Sequence, residues 1–284
     1  MSHPTWSTLD EPQGEPISLA GWVRVLVRGI TLGGVVFGGL AVMLIVRVLE
    51  RPVYGLHRPY TPFITQFVSR TAFVILGIRF QVQGTRMKET GAVVANHSSW
   101  LDIFALNARK RVYFVSKAEV AAWPGIGWLA RATGTVFIRR ERRDARAQVE
   151  LFQERLTAGH KLLFFPEGTS SDSRRVLPFK STLFAAFFAP ELHDIMHIQP
   201  VTVIYHAPKG EDPRFYGWWG DMDLAPHLLK TLAARRQGRI ELIYHPFFRV
   251  ADLPDRKALA ARCENTVRAP LVAAGLDFSE SDAG

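Results

Sequence analysis

Apolar and polar positions divide the chain into a polar opening, a long apolar stretch and a run of short alternating segments. Residues 1–16 are polar and rich in Pro and Glu, and they lack the basic start and small-residue cleavage site of a signal peptide. A flexible tail over residues 1–19 is expected. The segment "GITLGGVVFGGLAVMLIV", residues 29–46, then places 18 uncharged positions between Arg24 and Arg28 on one side and Arg47 and Arg51 on the other. As a helix it reaches about 27 Å, just under the roughly 30 Å of a bilayer's hydrocarbon layer. A second apolar segment, Tyr60 to Ile78, is broken by Gln66, Ser69 and Arg70 and follows after a short basic link that contains proline. Basic residues at both ends of the first segment give no orientation preference. Residues 20–79 are therefore expected to form a helical hairpin dipped into one leaflet, with one true span as the competing reading. Two buried core helices are a third reading, weakened by the glycines of the first segment, which are costly inside a soluble helix and common in membrane helices.

From Phe80 the pattern changes. "FQVQG", "AVVAN", "VYFVS", "TVFI", "KLLFF", "IQPVTVIY" and "RIELIYH" read as strands, several of them apolar throughout, as strands buried on both faces are. Helical stretches lie between them. The clearest runs from Glu141 to Ala158, where Ala145, Val149, Phe152 and Leu156 make an apolar stripe and Gly159 supplies a stop. This alternation predicts an α/β fold, a mostly parallel sheet flanked by helices, over residues 80–276, with a flexible tail over 277–284.

Composition changes the picture in two ways. With 284 residues and 48% hydrophobic content the chain has enough material for a substantial core, and its single cysteine, Cys263, excludes an internal disulfide and any multi-cysteine metal site. His193, His197, His206 and His245 show no ligand spacing with carboxylates, so neither a metal nor a cofactor is expected. The net charge of +9 asks for an anionic partner: nucleic acid, an anionic membrane face or an acidic carrier protein. Nucleic acid is disfavoured, because no helix-turn-helix, RNP or zinc-finger signature is present and apolar N-terminal segments serve no such role.

Candidate chemistry sits in "VVANHSSWLDIF", residues 93–104, where His97 follows an apolar strand and Asp102 lies five positions on. On one continuous helix these two side chains point about 140° apart. They meet only if His97 occupies the turn before the helix, with Ser98 or Ser99 as its cap and Asp102 in the first turn. A carboxylate there fixes the imidazole tautomer and makes the other ring nitrogen a general base. A capping arrangement without chemistry is the plain alternative for the pair alone. Ser98 and Ser99 invite a covalent serine route, but serines at a helix start are more often caps.

The pair has company. "NHSSWLD" resembles the Asn-His-x-x-x-x-Asp motif of the glycerolipid acyltransferases, the family of 1-acylglycerol-3-phosphate acyltransferases, and "GTVFIRR" (134–140), "FPEGTSS" (165–171) and "IQPVTV" (198–203) resemble its further motifs in order. The likeness covers roughly residues 75–250. It implies that His97 is the base and Asp102 its partner, that Glu167, Gly168 and Thr169 bind the polar head of the acceptor, and that Arg140 and the motif around Phe137 contribute to the acceptor pocket. It also implies an acyl thioester donor, acyl-carrier protein ahead of acyl-coenzyme A, a lysolipid acceptor, and an inner-membrane location with the site facing the cytoplasm. Where members that make phosphatidic acid continue Phe-Pro-Glu-Gly-Thr with Arg-Ser, this chain has Ser170, and Asp172 adds a carboxylate suited to an amine. That version, with "FYGWWGDMDLAPHLLK" downstream, resembles the branch that finishes ornithine lipids. Arg174 and Arg175 keep lysophosphatidic acid in play as acceptor, and a lipid hydrolase remains the rival chemistry.

Overall fold

The computed structural model describes Trp6 and residues 16–139 and 144–276, so Arg140, the start of the helix expected from Glu141 and most of both expected tails lie outside the described residues. Helix α1 (Leu19–Tyr54) begins where the Ser18 hydroxyl accepts from the Gly21 amide at 3.2 Å. It is longer than its uncharged run requires. Helix α2 (Thr61–Leu76) follows after a short turn and packs back on α1. Gly39 permits the approach, since a Cβ there would lie 2.4 Å from the Val68 side chain. At the turn the buried carboxylate of Glu50 accepts from the Tyr60 amide at 2.8 Å and from the Thr61 hydroxyl at 2.8 Å, which caps α2 from a different helix.

The strands are β1 (Arg79–Gln83), β2 (Gly91–Ala95), β3 (Tyr113–Lys117), β4 (Val136–Ile138), β5 (Leu162–Phe164), β6 (His197–His206), β7 (Arg239–Tyr244) and β8 (Phe248–Arg249). They form one sheet in the order β1-β7-β6-β2-β5-β3-β4, with β8 beside β6. Neighbours run parallel except where β6 meets β7 and β8. All the strands read from the sequence are present; the short β8 was not foreseen, having too few residues to carry a pattern. Helices α3 (Asp102–Arg109), α4 (Ile126–Thr133), α5 (Ala145–Thr157), α6 (Pro190–His193), α7 (Leu224–Ala233) and α8 (Arg256–Ala273) complete the described fold.

Two apolar cores lie on opposite faces of the sheet. One joins Val94, Leu162 and Phe164 to Phe152 and Leu156 of α5 and to Leu259 and Val267 of α8. The other joins Val93, Leu163 and Val201 to Leu106 of α3 and to Phe73 and Leu76 of α2. Burial on both faces explains why β2 and β5 are apolar at every position. Helix α2 thus belongs to the domain's own packing. Helix α1 touches the domain near both of its ends. Near its start, Arg24 Nε donates to the Ala233 carbonyl at 2.6 Å, and Arg28 donates to Leu232 and Ala234 at 2.9 and 2.7 Å, using carbonyls at the end of α7. Its C-terminal half adjoins α4, where Leu40, Leu44 and Arg47 line a common space with Trp128 and Arg131. Along the helix Leu26, Ile30, Phe37, Ile45 and Val48 are exposed.

Candidate active site

Strand β2 is followed directly by Asn96, whose side chain receives the Val203 amide at 2.8 Å and donates to the Val203 carbonyl at 2.9 Å. This bond pair clamps the end of β2 to β6 and sets the direction of the following turn. His97 sits in that turn, ahead of α3, and its Nδ1 lies 2.7 Å from Asp102 Oδ2. The pair meets in the way its spacing demanded. The capping detail differs from expectation: neither Ser98 nor Ser99 caps α3 by its side chain; instead their amides donate to Asp102 Oδ2 at 2.8 and 3.0 Å. The carboxylate reaches back and organises the turn, because a buried anion collects every donor within reach. Both serines are buried.

The other oxygen of Asp102 accepts from the Tyr205 hydroxyl at 2.5 Å. Burial, then the charge of Asp102, holds the Tyr205 phenol well above its ordinary value, so it remains a donor. With Nδ1 facing a fully buried carboxylate, the proton belongs on Nδ1, and Nε2 is the basic nitrogen. The imidazole keeps 21% of its side-chain surface exposed and stacks on Phe165 at 4.2 Å between ring centres.

The backbone around His97 is fixed from three directions. Its amide donates to Glu167 Oε1 at 2.6 Å, its carbonyl accepts from the Ser171 amide at 2.9 Å, and the Ser98 carbonyl accepts from the Trp218 amide at 2.9 Å. Glu167 Oε2 accepts from the Leu177 amide at 2.8 Å. This carboxyl is 1% exposed and burial pushes it well above the usual carboxylate range. Its two oxygens thus tie the histidine turn to the loop after β5. Gly168 makes that loop's turn with φ of 75°, a conformation open to glycine, and Gly168 and Thr169 remain partly accessible beside it.

Asp172 is buried, and its carboxylate accepts from the Arg174 amide at 3.0 Å and from Arg175 Nε at 3.2 Å. Burial lowers Arg174 despite the opposing pull of Asp172 and Asp212. Arg214 pairs with Asp212 at 2.9 Å. Charges of both signs therefore alternate along this loop cluster. Ser173 within it has a positive φ of 66° and a buried hydroxyl with no partner among the described residues. Phe137 is separate from this group and lines a cavity with α1 and α4. Arg140 lies outside the described residues. No group of three or more potential ligands that could hold a metal occurs among the described residues.

Sequence reasoning missed Tyr205 and Ser173, and it quoted Asn96 in the motif without giving it a role. Tyr205 lies on β6, 103 positions from its partner, and only the alternation of that strand's faces would have aimed it at Asp102.

A family model described as Acyltransferase matches residues 79–204. The lyso-ornithine lipid O-acyltransferase of Rhodobacter capsulatus is 57% identical over 94% of this chain and 97% of its own length. The 1-acyl-sn-glycerol-3-phosphate acyltransferase of Neisseria gonorrhoeae is 33% identical over 62% of this chain and 68% of that protein. Among solved structures, the 1-acyl-sn-glycerophosphate (LPA) acyltransferase of Thermotoga maritima aligns with a TM-score of 0.66 at 22% identity, covering 92% of this chain and 98% of that one, a likeness of fold.

Proposed function

The chain belongs to the acyltransferase family and is a lysolipid acyltransferase, and on that premise we propose that His97 is its general base and a lyso-ornithine-type amino lipid its main acceptor. The observation that carries the mechanism is the His97 Nδ1 to Asp102 bond at 2.7 Å with Nε2 left as the basic nitrogen. A lipid hydroxyl attacks a thioester poorly unless its proton leaves as the C–O bond forms. His97 Nε2 takes that proton, the tetrahedral centre collapses with cleavage of the C–S bond, and the imidazolium returns the proton to the departing thiolate. Asp102 steadies the imidazolium, and Tyr205 and the Ser98 and Ser99 amides hold Asp102 in place. Glu167 serves by positioning the His97 turn, while Gly168 and Thr169 border the acceptor.

The acceptor assignment rests on the mixed charges of the loops after β5 and β6. An amino-acid lysolipid offers an amine and a carboxylate and no phosphate, which suits a cluster holding Asp172 and Asp212 beside Arg174, Arg175 and Arg214. The proximity of three arginines supports lysophosphatidic acid as a second acceptor. Both lysolipids offered to the purified enzyme with one acyl-carrier donor decide the matter through kcat/KM. A strong preference for lysophosphatidic acid that survives Asp172→Ala overturns the amino-lipid reading, and release of free fatty acid in place of transfer overturns the transferase chemistry in favour of hydrolysis.

We place the enzyme on the inner membrane with its site on the cytoplasmic side, where acyl-carrier protein, the favoured donor ahead of acyl-coenzyme A, is available for membrane lipid synthesis. Helix α1, long and apolar enough to reach across a membrane and with most of its apolar side chains exposed, supplies the apolar surface. Because α1 meets the domain near both ends, it favours a helix lying in one leaflet over one crossing the bilayer.

A further inference from the structure

A cavity of about 740 Å³ opens between the C-terminal half of α1, α4 and α5, and none of its lining residues belongs to the cluster around His97. Its volume falls within the roughly 300–1,000 Å³ of ordinary ligand sites. The lining is of two kinds. Leu40, Met43 and Leu44 of α1 and Trp128 of α4 are apolar, and they continue the exposed apolar surface of α1. Arg47, Arg51, Arg58, Arg131 and Arg155 are basic, and among the described lining residues they face a single carboxylate, Glu154.

The basic groups are partly satisfied by dipoles and poorly by charge. Arg58 donates to the Ala132 carbonyl at 2.7 Å, Arg131 to Ala121 at 2.6 Å and Arg155 to Gly134 at 2.7 Å. Glu50 pairs with Arg47 at 3.2 Å, but its oxygens also serve Tyr60 and Thr61. Arg58 Nε is buried with no partner among the described residues. Burial, and after it the charge of Arg47, lowers Arg58 below the ordinary arginine value; Arg155 is lowered chiefly by burial, with Arg47 adding to it. Like charges gathered around one space destabilise each other until an anion joins them. Position along the chain adds a second constraint. The uncharged run of α1 ends at Val46, and Arg47 and Arg51 follow within about a turn. On a helix lying in one leaflet, this is where hydrocarbon gives way to phosphate.

We propose that the cavity binds one anionic phospholipid of the surrounding bilayer, with its phosphate among the arginines and an acyl chain along Leu40, Leu44 and Trp128. Phe137, which the resemblance assigned to the acceptor pocket, lines this cavity apart from the His97 cluster, so the lipid is a ligand distinct from the acceptor. It bridges α1 to α4 and α5 and sets the depth at which the domain sits. The inference rests on the membrane reading of α1 and is independent of the acceptor assignment.

The test uses the full chain purified in dodecyl maltoside and titrated with dioleoyl phosphatidylglycerol, dioleoyl phosphatidylcholine or inorganic phosphate, read by native mass spectrometry and thermal unfolding. Retention of one phosphatidylglycerol with a rise in Tm, matched by neither of the others, is expected. Arg51→Glu, which reverses an exposed charge, and Leu44→Trp, which fills apolar space without altering charge, should each weaken that binding at least tenfold. Equal retention of phosphatidylcholine, an equal Tm rise with inorganic phosphate, or unchanged phosphatidylglycerol binding in both variants overturns the proposal. No lysolipid or thioester is present, so a failure here is separate from any failure of the acyl-transfer mechanism.

Discussion

At the scale of single residues, the testable unit is the chain of bonds from Tyr205 through Asp102 to His97. Removing the base by His97→Ala should lower kcat/KM by on the order of 10³–10⁴-fold while the protein still binds membranes, since the histidine's own side chain is partly exposed and its turn is held by backbone bonds. Activity within a few fold of the parent would sink the mechanism. Asp102→Asn keeps the shape but offers an amide where a carboxylate collected three donors on Oδ2, so it should impair turnover by disfavouring the tautomer with basic Nε2. Tyr205→Phe separates positioning from packing. It removes one hydroxyl, at 2.5 Å from Asp102, and leaves the buried ring. A hydrogen bond to a charged group contributes about 1.5–3 kcal/mol, so kcat should fall roughly 10- to 100-fold with KM little changed, because both groups are buried. A raised KM at constant kcat would place Tyr205 in substrate binding instead.

At the scale of elements, legibility followed local pattern. Strands buried on both faces announce themselves as apolar runs, and the motif spacing placed His97 in a turn before a helix; both readings needed only neighbouring residues. What stayed hidden were bonds between distant segments: Glu50 capping α2, Arg24 and Arg28 on the end of α7, and Glu167 directed at two backbone amides. Charge alone said that these residues were polar, and the fold decided whom they met. The tie between α1 and α7 carries a prediction. If α1 lies in one leaflet, cysteines introduced at Ser18 and at Gly55, just outside its two ends, should both react with a membrane-impermeant maleimide from the cytoplasmic side, in a Cys263→Ala background. Labelling of one end from each side would mean a crossing helix. Simple deletion of residues 1–79 is the poorer test, because it strips Phe73 and Leu76 from the core and cuts into β1.

At the scale of the whole molecule, stability should depend on two histidines far from the chemistry. His160 is 2% exposed, accepts from Arg155 on Nδ1 at 3.3 Å and donates from Nε2 to the Leu56 carbonyl at 2.9 Å. Burial, with Arg155 next, pulls it down to about 4. His227 is 5% exposed and accepts from Trp100 Nε1 at 2.9 Å, and burial followed by Lys230 brings it to about 4 as well. Both rings are therefore neutral in the folded chain above about pH 4. In the unfolded chain they titrate at the ordinary value of about 6.5. As pH falls, the unfolded state takes up these protons first, so the stability associated with neutral histidines is complete above about 6.5 and is lost progressively toward about 4. Each group can account for up to about 3 kcal/mol over that window, taking 1.36 kcal/mol per unit of separation. Thermal unfolding of the detergent-solubilised protein should show Tm dropping between pH 7 and pH 5. His160→Gln, which retains a donor for Leu56 and cannot take up a proton, should flatten that slope by roughly half. An unchanged slope in His160→Gln would mean that acid sensitivity arises elsewhere. A flat profile in the parent would mean that the two rings accept protons without opening the fold. The coupling has a functional edge, because His227 receives its bond from Trp100, three residues after His97, so activity should fall with Tm as acid protonates His227 and breaks that bond.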